Sequence, residues 1–194
     1  MTKKELRVLL KRKRSLLTTD QVNDLSSKCF SHLLKHFDLK NKKVGLFLPI
    51  IDSNEPNTFL LYNELVKLPA KTFFPVTNLG ALSIDFYSLS SLSNLSVSNY
   101  GIPEPNEMEN KIPPDLLDVL IVPLLAINKK GYRVGYGKGL YDSFIPLCKK
   151  NTCTIGISLF NEVFEIDDLN DFDIPLNHCV FPDGIKKYSQ SYFK

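Results

Sequence analysis

The sequence lacks the patterns that mark metal centres, disulfide frameworks and membrane segments. Its cysteines, Cys29, Cys148, Cys153 and Cys179, form no C-x-x-C pair and have no other metal-ligand spacing among themselves. We interpret them as reduced thiols of a cytoplasmic protein. The chain begins with the charged run MTKKELRVLLKRKR, which has no continuous apolar stretch, and no later stretch is long enough to span a bilayer. We therefore expect a cytoplasmic protein with no membrane partner.

A large excess of charge and internal repeats are also absent. The net charge is +3 over 194 residues, of which 43% are hydrophobic and 23% are charged. This charge is too small to indicate nucleic-acid binding, although it suits a small anionic ligand. The length allows one well-buried core and is short for two. We expect a single domain over residues 1–194, acting as a monomer without nucleic acid.

Most of the chain alternates between short apolar runs and amphipathic segments, as in an α/β sheet. Apolar runs predict buried strands at 43–48, 118–123 and 152–159, with 118–123 central and covered on both faces. Further strands are predicted at 72–76, 82–87 and 179–181, and helices from residue 3, at 18–37, at 58–66, at 143–150 and at 162–169. In this interpretation Thr18, Thr58 and Asp142 are N-caps, 101–105 is a stiff turn, 171–176 is a loop and 182–194 is a peripheral tail. The expected fold is a three-layer α/β/α sandwich with a mostly parallel central sheet, open as in Rossmann folds, whose strand ends carry ligands.

The densest group of glycines lies in the segment 131–142, which reads GYRVGYGKGLYD. Glycines allow positive φ and close approach of the backbone, so that successive amides can turn toward one anion. The pattern is neither a Walker loop nor a dinucleotide fingerprint. Arg133 offers a planar fork of donors, Lys138 a mobile point charge, and Asp142 a carboxylate for magnesium. The combination predicts a phosphate site.

Several isolated polar residues leave two interpretations open. Lys3 and Arg7 lie one helical turn apart and can address an anion together, whereas the cations at 11–14 fit a solvated face of the first helix. Glu55 follows a predicted strand, where it would meet a ligand or remain a solvated loop carboxylate. His32 and His36 have metal-ligand spacing but no nearby third ligand, so favourable charge at a helix C-terminus is the better explanation.

The glycine loop, together with Val122-Pro123 before it, resembles the signature of the 5-formyltetrahydrofolate cyclo-ligases, also called methenyltetrahydrofolate synthetases. Four further landmarks are similar and occur in the family's order: Lys3, Leu6 and Arg7; Glu55, Asn57 and Thr58; the GIPEP segment at 101–105; and Asp173, Pro175 and Leu176. The chain departs from the pattern at Asn128, Leu140, Phe172 and Asn177. Leu140 replaces a usual aromatic residue, and Phe172 replaces a histidine.

The resemblance implies an ATP- and magnesium-dependent closure of 5-formyltetrahydrofolate to 5,10-methenyltetrahydrofolate, through phosphorylation of the formyl oxygen and release of ADP and phosphate. It implies catalytic roles for Arg133 and Lys138. ATP would contact Lys3, Lys4, Glu5, Leu6, Arg7, Arg133, Val134, Gly135, Tyr136, Gly137, Lys138, Gly139, Leu140 and Tyr141. The folate would contact Leu48, Glu55, Tyr136, Gly137, Lys138, Gly139 and Leu140. Asp142 and Asp173 are similar to the family's magnesium positions.

Two other functions compete with this prediction. A non-catalytic module on the same scaffold could bind a sugar phosphate or coenzyme A through the glycine loop, and it would have no need of Lys3 or Arg7. A nucleic-acid contact through the basic first helix would weaken steeply with salt. The modest net charge and the lack of aromatics among the cations of that helix disfavour the second function.

Overall fold

The computed structural model describes residues 1–78, 80–89, 95–97, 101, 103–105 and 109–188. Its α-helices are α1 (Lys3–Ser15), α2 (Thr19–His36), α3 (Thr58–Leu65) and α4 (Leu140–Phe144). Its strands are β1 (Lys43–Leu46), β2 (Lys71–Asn78), β3 (Ser83–Tyr87), β4 (Leu95–Val97), β5 (Pro103–Pro105), β6 (Lys111–Ile112), β7 (Val119–Pro123), β8 (Ala126–Ile127), β9 (Arg133–Val134), β10 (Cys153–Ile157), β11 (His178–Phe181) and β12 (Gly184–Lys187).

A mostly parallel sheet forms the centre of the fold. Within the described residues it has eight strands in the order β12-β11-β10-β7-β1-β2-β3-β6. The run from β11 to β2 is parallel, and β12, β3 and β6 extend it with antiparallel pairs. Strand β7 pairs with β1 on one side and β10 on the other, which confirms the prediction of a central strand at this position.

Helices cover both faces of this sheet. Along β7, Val119 and Ile121 join a core cluster with α2 and α3, whereas Leu120 and Val122 join a second cluster that includes Phe144 of α4. This alternation follows from the two-residue repeat of a strand, because successive side chains point to opposite faces. Continuous apolar sequence is therefore required in β7, and the expected α/β architecture is confirmed.

Helix α1 packs away from the main sheet, against the short hairpin of β8 and β9. Leu6 and Leu10 are fully buried there with Leu125, Ala126 and Val134 in a third core cluster. The hairpin pairs Ala126 with Val134 and leads directly into the glycine-rich segment. This contact places the first helix beside the glycine loop, although the two are more than a hundred residues apart in sequence.

The helix starts follow their capping residues. Thr18 is the N-cap of α2, as predicted, and it forms a capping box with Gln21. Helix α1 has a second capping box between Thr2 and Glu5. The predicted cap at Thr58 is wrong, because α3 begins at Thr58 and Asn57 is its N-cap. The Thr58 hydroxyl instead donates to the carbonyl of Phe47 at 2.7 Å, which fixes the helix to the end of β1.

Several predicted elements need correction. The helix expected at 143–150 with Asp142 as its cap is α4, which starts after Gly139 and gives way to a 3₁₀ helix at Ile145–Leu147. The reason is that Gly139 takes the left-handed conformation at the start, and Pro146 prevents continuation. The turn expected at 101–105 contains β5, paired with β4. Residue 102 of that turn lies outside the described residues.

The C-terminal part also differs from the prediction. Residues 162–169 form no helix, because their amides bond to distant carbonyls: Phe164 donates to Ile127 and Asp167 donates to Met1. The tail expected to be peripheral supplies the edge strand β12, and residues 189–194 lie outside the described part. His36 packs edge-on against Phe37, and no metal-binding cluster of His, Cys, Asp or Glu occurs in the described residues. Likewise, none of the described helices has the length and hydropathy to cross a membrane.

We predict that Thr18→Ala lowers the stability of the protein by about 1 kcal/mol, because the first-turn amide of Gln21 loses its acceptor. The melting temperature should fall by about 2–4 °C for a chain of this size. Thr19→Ala is the matched control, since it removes the same atoms at the exposed first residue of α2. Equal melting temperatures for the two variants would contradict the role of the cap.

Candidate active site

A cavity of about 870 Å³ opens at the carboxyl ends of β1 and β7. Its walls come from residues just after β1, from Pro123 at the end of β7, from the first turn of α1, from the glycine loop and from the segment 168–174. Ligands of open α/β sheets bind at this end of the strands, because the loops there converge on one crevice. The cavity is therefore the candidate active site.

The cavity brings together most of the residues that the sequence predicted for ATP, folate and magnesium. These are Lys3, Lys4, Arg7, Leu48, Glu55, Arg133, Gly135, Tyr136, Gly137, Lys138, Gly139, Leu140, Tyr141, Asp142 and Asp173. Three predicted nucleotide contacts do not line it. Glu5 faces solvent and caps α1, whereas Leu6 and Val134 are fully buried in the third core cluster.

Three of the four glycines in the glycine loop have the positive φ that its composition predicted. Gly131, Gly137 and Gly139 have φ of 89°, 96° and 69°. The Arg7 side chain lies across the loop: its Nε donates to the carbonyl of Gly135 at 2.8 Å. A Cβ at Gly137 would lie 3.3 Å from the Arg7 guanidinium carbon. Helix α1 is thus attached to the loop by a cation that also lines the cavity.

Arg133 is buried at the base of the loop and has fixed partners. Its NH2 group forms an ion pair with Oδ1 of Asp142 at 3.0 Å, and its NH1 group donates to the carbonyl of Ile174 at 3.0 Å. The amide of Ile174 donates to the same Asp142 oxygen at 3.1 Å. Burial lowers the pKa of Arg133, and the neighbouring Asp142 opposes that change. Part of the donor fork predicted for phosphate is therefore already used within the protein.

Lys3 forms a second ion pair in the wall of the cavity. Its Nζ lies 2.5 Å and 2.7 Å from the two oxygens of Asp173, and both side chains are largely shielded from water. The Lys3 amide donates to Asp168 at 2.7 Å, and Asp173 also accepts from the amide of Asn170 at 2.7 Å. These contacts join the N-terminus of α1 to the segment 168–174. The segment carries Phe172, whose side chain is 83% exposed at the cavity wall.

Glu55 is buried rather than solvated, with 4% of its surface exposed. One carboxylate oxygen accepts from the amide of Ile50 at 2.7 Å. Burial raises the Glu55 pKa, while the charge of Arg14, the Ile50 amide and the Tyr136 hydroxyl oppose that rise. Burial also raises the pKa values of Tyr136 and Tyr141, so both phenols stay protonated at neutral pH. This side of the cavity therefore combines one carboxylate with hydroxyl donors.

Arg14 is the residue that the sequence prediction placed wrongly. It was expected on the solvated face at 11–14, yet it is 1% exposed. Its NH1 group donates to the Tyr136 hydroxyl at 3.0 Å, and its NH2 group donates to the carbonyl of Leu124 at 2.5 Å. The signal was present in the spacing, because Arg14 follows Arg7 by seven residues and Leu10 by four, on one helix face.

The carboxylates expected to hold magnesium line the cavity, but both are engaged with cations. Asp173 uses both oxygens in its contacts with Lys3 and Asn170. Asp142 uses Oδ1 for Arg133 and Ile174, so Oδ2 has no partner within the described ranges. Magnesium in nucleotide sites takes one or two protein carboxylates and otherwise water and phosphate oxygens. The arrangement fits such an ion at Asp142, and at Asp173 only if Lys3 moves.

Residues 1–182 match the model of the 5-formyltetrahydrofolate cyclo-ligase family. The chain belongs to the 5-formyltetrahydrofolate cyclo-ligase family. A cyclo-ligase of Mycoplasma genitalium is 28% identical over 176 residues, which cover 87% of this chain and 94% of that protein. The cyclo-ligase of Escherichia coli K12 is 25% identical over 181 residues, covering 91% and 98%.

The fold agrees with solved cyclo-ligase structures. The NMR structure of Aquifex aeolicus 5,10-methenyltetrahydrofolate synthetase matches with a TM-score of 0.77 and 30% identity, and each chain is covered completely, at 100%. The synthetase of Mycoplasma pneumoniae is similar in fold, with a TM-score of 0.73, 22% identity, and 94% of this chain and 99% of that chain covered. The cyclo-ligase resemblance that the glycine loop indicated is thereby confirmed.

We predict that Gly131→Ala destabilises the protein more than Gly139→Ala does. Both positions have positive φ, which costs an L residue about 1–2 kcal/mol. A Cβ at Gly131 would also lie 2.8 Å from the carbonyl oxygen of Leu176 and 2.9 Å from Tyr188, whereas at Gly139 it meets nothing within 4 Å. Urea unfolding should therefore show an additional loss of about 1–3 kcal/mol for Gly131→Ala. Equal losses would show that this close approach has no cost.

Proposed function

We propose that the protein converts 5-formyltetrahydrofolate into 5,10-methenyltetrahydrofolate, with ATP as the phosphoryl donor and ADP and phosphate as the other products. The observation that carries this proposal is one cavity that is lined by both a cationic glycine loop and a buried carboxylate. Family membership supports the same reaction, since the relatives are cyclo-ligases by name.

The cationic side is suited to the triphosphate. Lys4 and Lys138 are exposed and have no ion-pair partner in the described part of the chain, so both can turn toward phosphate oxygens. Arg7 lies over Gly137 and attaches the loop to α1. Amides of a loop with positive φ provide further donors for an anion. Lys3 and Arg133 add positive charge, and in this structure each is paired with a carboxylate.

A second part of the cavity is suited to the folate. Leu48 and Leu140 supply apolar surface, and Glu55 supplies a carboxylate that can accept hydrogen bonds from the N–H groups of a pterin ring. A polar group held in an apolar pocket fixes the orientation of a ligand. In the proposed complex Glu55 orients the ring so that its formyl oxygen points toward the phosphates.

The chemistry requires positioning and charge neutralisation rather than an enzyme nucleophile. The formyl oxygen of the substrate attacks the terminal phosphorus of ATP, and ADP leaves. The neighbouring amine nitrogen of the folate then attacks the formyl carbon and loses its proton, and phosphate departs. The cavity holds the two reactants together, which converts a bimolecular step into an effectively unimolecular one. Lys138 neutralises charge on the transferred phosphoryl group, and Arg133 holds the loop that carries Lys138.

We also propose that magnesium accompanies the nucleotide, held through Asp142 and its free Oδ2, with Asp173 as a second carboxylate when Lys3 turns to phosphate. When bound, the ion would neutralise phosphate charge and keep several waters.

A single domain over residues 1–194, a monomeric state and a cytoplasmic location remain predictions. The single-domain prediction is supported by the main sheet, which contains both the first strand, β1, and the last described strand, β12.

We predict that the protein with 5-formyltetrahydrofolate and magnesium ATP produces the near-ultraviolet absorbance of the methenyl product. Reactions without ATP, and reactions with ATP but no folate, should give no such absorbance. A sugar-phosphate or coenzyme A binding module would give no signal in any of them. Absence of product at high protein concentration would contradict the proposed function.

We predict that Lys138→Ala lowers kcat/KM for ATP by about tenfold or more, because a phosphate oxygen loses a charged hydrogen-bond donor. The KM for the folate should change much less. Lys130→Ala removes an equally exposed lysine that does not line the cavity, so it is the matched control. Similar kinetics for the two variants would contradict the assignment of Lys138 to the phosphates.

A further inference from the structure

Arg14 is a buried cation that has no carboxylate within ion-pair distance among the residues that the structure describes. It is 1% exposed, and its Nε has no hydrogen-bond partner. A buried charge is costly unless it is paired and fully hydrogen-bonded. An apolar residue at this position of α1 would avoid that cost. The presence of a guanidinium therefore needs an explanation beyond packing.

The Arg14 side chain points at the folate side of the cavity. Its NH1 group donates to the Tyr136 hydroxyl, which leaves the hydroxyl proton available to an acceptor. Tyr136 and Glu55 both line the cavity, and the Tyr136 hydroxyl acts to lower the Glu55 pKa. Arg14 is thus bonded to a hydroxyl that shares the substrate pocket with Glu55.

The main chain around Arg14 is fixed to the loop that carries Glu55. The side-chain amide of Asn54 donates to the carbonyl of Arg14 at 2.8 Å and to the carbonyl of Leu17 at 3.0 Å. Asn54 has a positive φ of 45°, a conformation that asparagine tolerates better than most residues. The end of α1 and the Glu55 loop are therefore held in one arrangement.

The charge of Arg14 has a direct effect on Glu55. Burial raises the Glu55 pKa and favours the protonated acid, whereas Arg14, the Ile50 amide and Tyr136 act in the opposite direction. A protonated Glu55 would lose acceptor capacity for N–H groups. Removal of Arg14 would therefore weaken the carboxylate as an acceptor even where the backbone does not move.

We propose that Arg14 is a positioning residue for the folate, which acts through the Tyr136 hydroxyl and the adjoining loop to hold the Glu55 carboxylate in its orientation toward the substrate pocket. The inference rests on the proposed function, since it takes Glu55 as the acceptor for the pterin ring. It assigns to the C-terminal part of α1 a role on the folate side, distinct from the role of Lys3 and Arg7 on the phosphate side.

The test compares Arg14→Met, Tyr136→Phe and the double variant by steady-state kinetics and by calorimetric binding of 5-formyltetrahydrofolate. Each single variant should raise the KM and Kd for the folate by roughly tenfold, with the KM for ATP changed less than about twofold. The double variant should be little worse than the poorer single variant, because both changes break the same contact. Arg14→Lys, which keeps the charge, should restore part of the folate affinity.

Arg12→Met is the matched control, because it makes the same change at an exposed residue of the same helix. It should leave both KM values unchanged. If Arg14→Met does not fold, Tyr136→Phe decides: unchanged folate affinity in that variant overturns the proposal. Equal losses for ATP and folate, or a lower melting temperature with unchanged affinities, also overturn it. If the wild-type protein binds the folate but does not convert it, the proposed function is contradicted. The role of Arg14 is then decided by the ratio of the folate Kd of Arg14→Met to that of the wild-type protein.

Discussion

The arrangement of the cavity depends on the buried contact of Arg133 with Asp142 and the main chain of Ile174. Arg133 lies in β9 near the start of the glycine loop, and Asp142, in α4, is the last residue of that loop. Both ends of the loop therefore meet at Ile174, in a segment that also forms the cavity wall. A buried guanidinium is tolerated here because its charge is paired and its donors are used. Gly137 and Gly139, which have positive φ, lie between these fixed ends.

Helix α1 has three cations along one face, and each of them bonds to a different partner. Lys3 pairs with Asp173, Arg7 bonds to the Gly135 carbonyl, and Arg14 bonds to the Tyr136 hydroxyl. Apolar residues between them, Leu6 and Leu10, provide the burial that keeps the helix in place. The same helix thus stabilises the fold by hydrophobic contact and supplies positive charge to a concave surface.

The strands of the parallel sheet could be predicted because they are continuous apolar runs. Such runs are well buried only in a sheet that is covered by helices on both faces. Helix α2 could be predicted because its cap and its periodic apolar residues agree. Prediction failed where long-range hydrogen bonds replace local ones. The acidic segment 162–169 has helical composition, yet the amide of Phe164 bonds to Ile127 and that of Asp167 to Met1. Strand β12 has no strong strand pattern in its sequence. It forms because its backbone pairs with β11 at the edge of the sheet.

The sequence by itself determined the α/β class, the central strand β7, the glycine loop and the set of cations and carboxylates that the cavity contains. These features depend on local composition and spacing, which a chain carries before it folds. Only the tertiary structure decided which of these charges are free and which are paired. Arg14 and Glu55 look like ordinary surface charges in the sequence, but they are buried beside Tyr136. Burial depends on which distant surfaces meet, so the position of Arg14 on the helix face of Leu10 could not decide it alone.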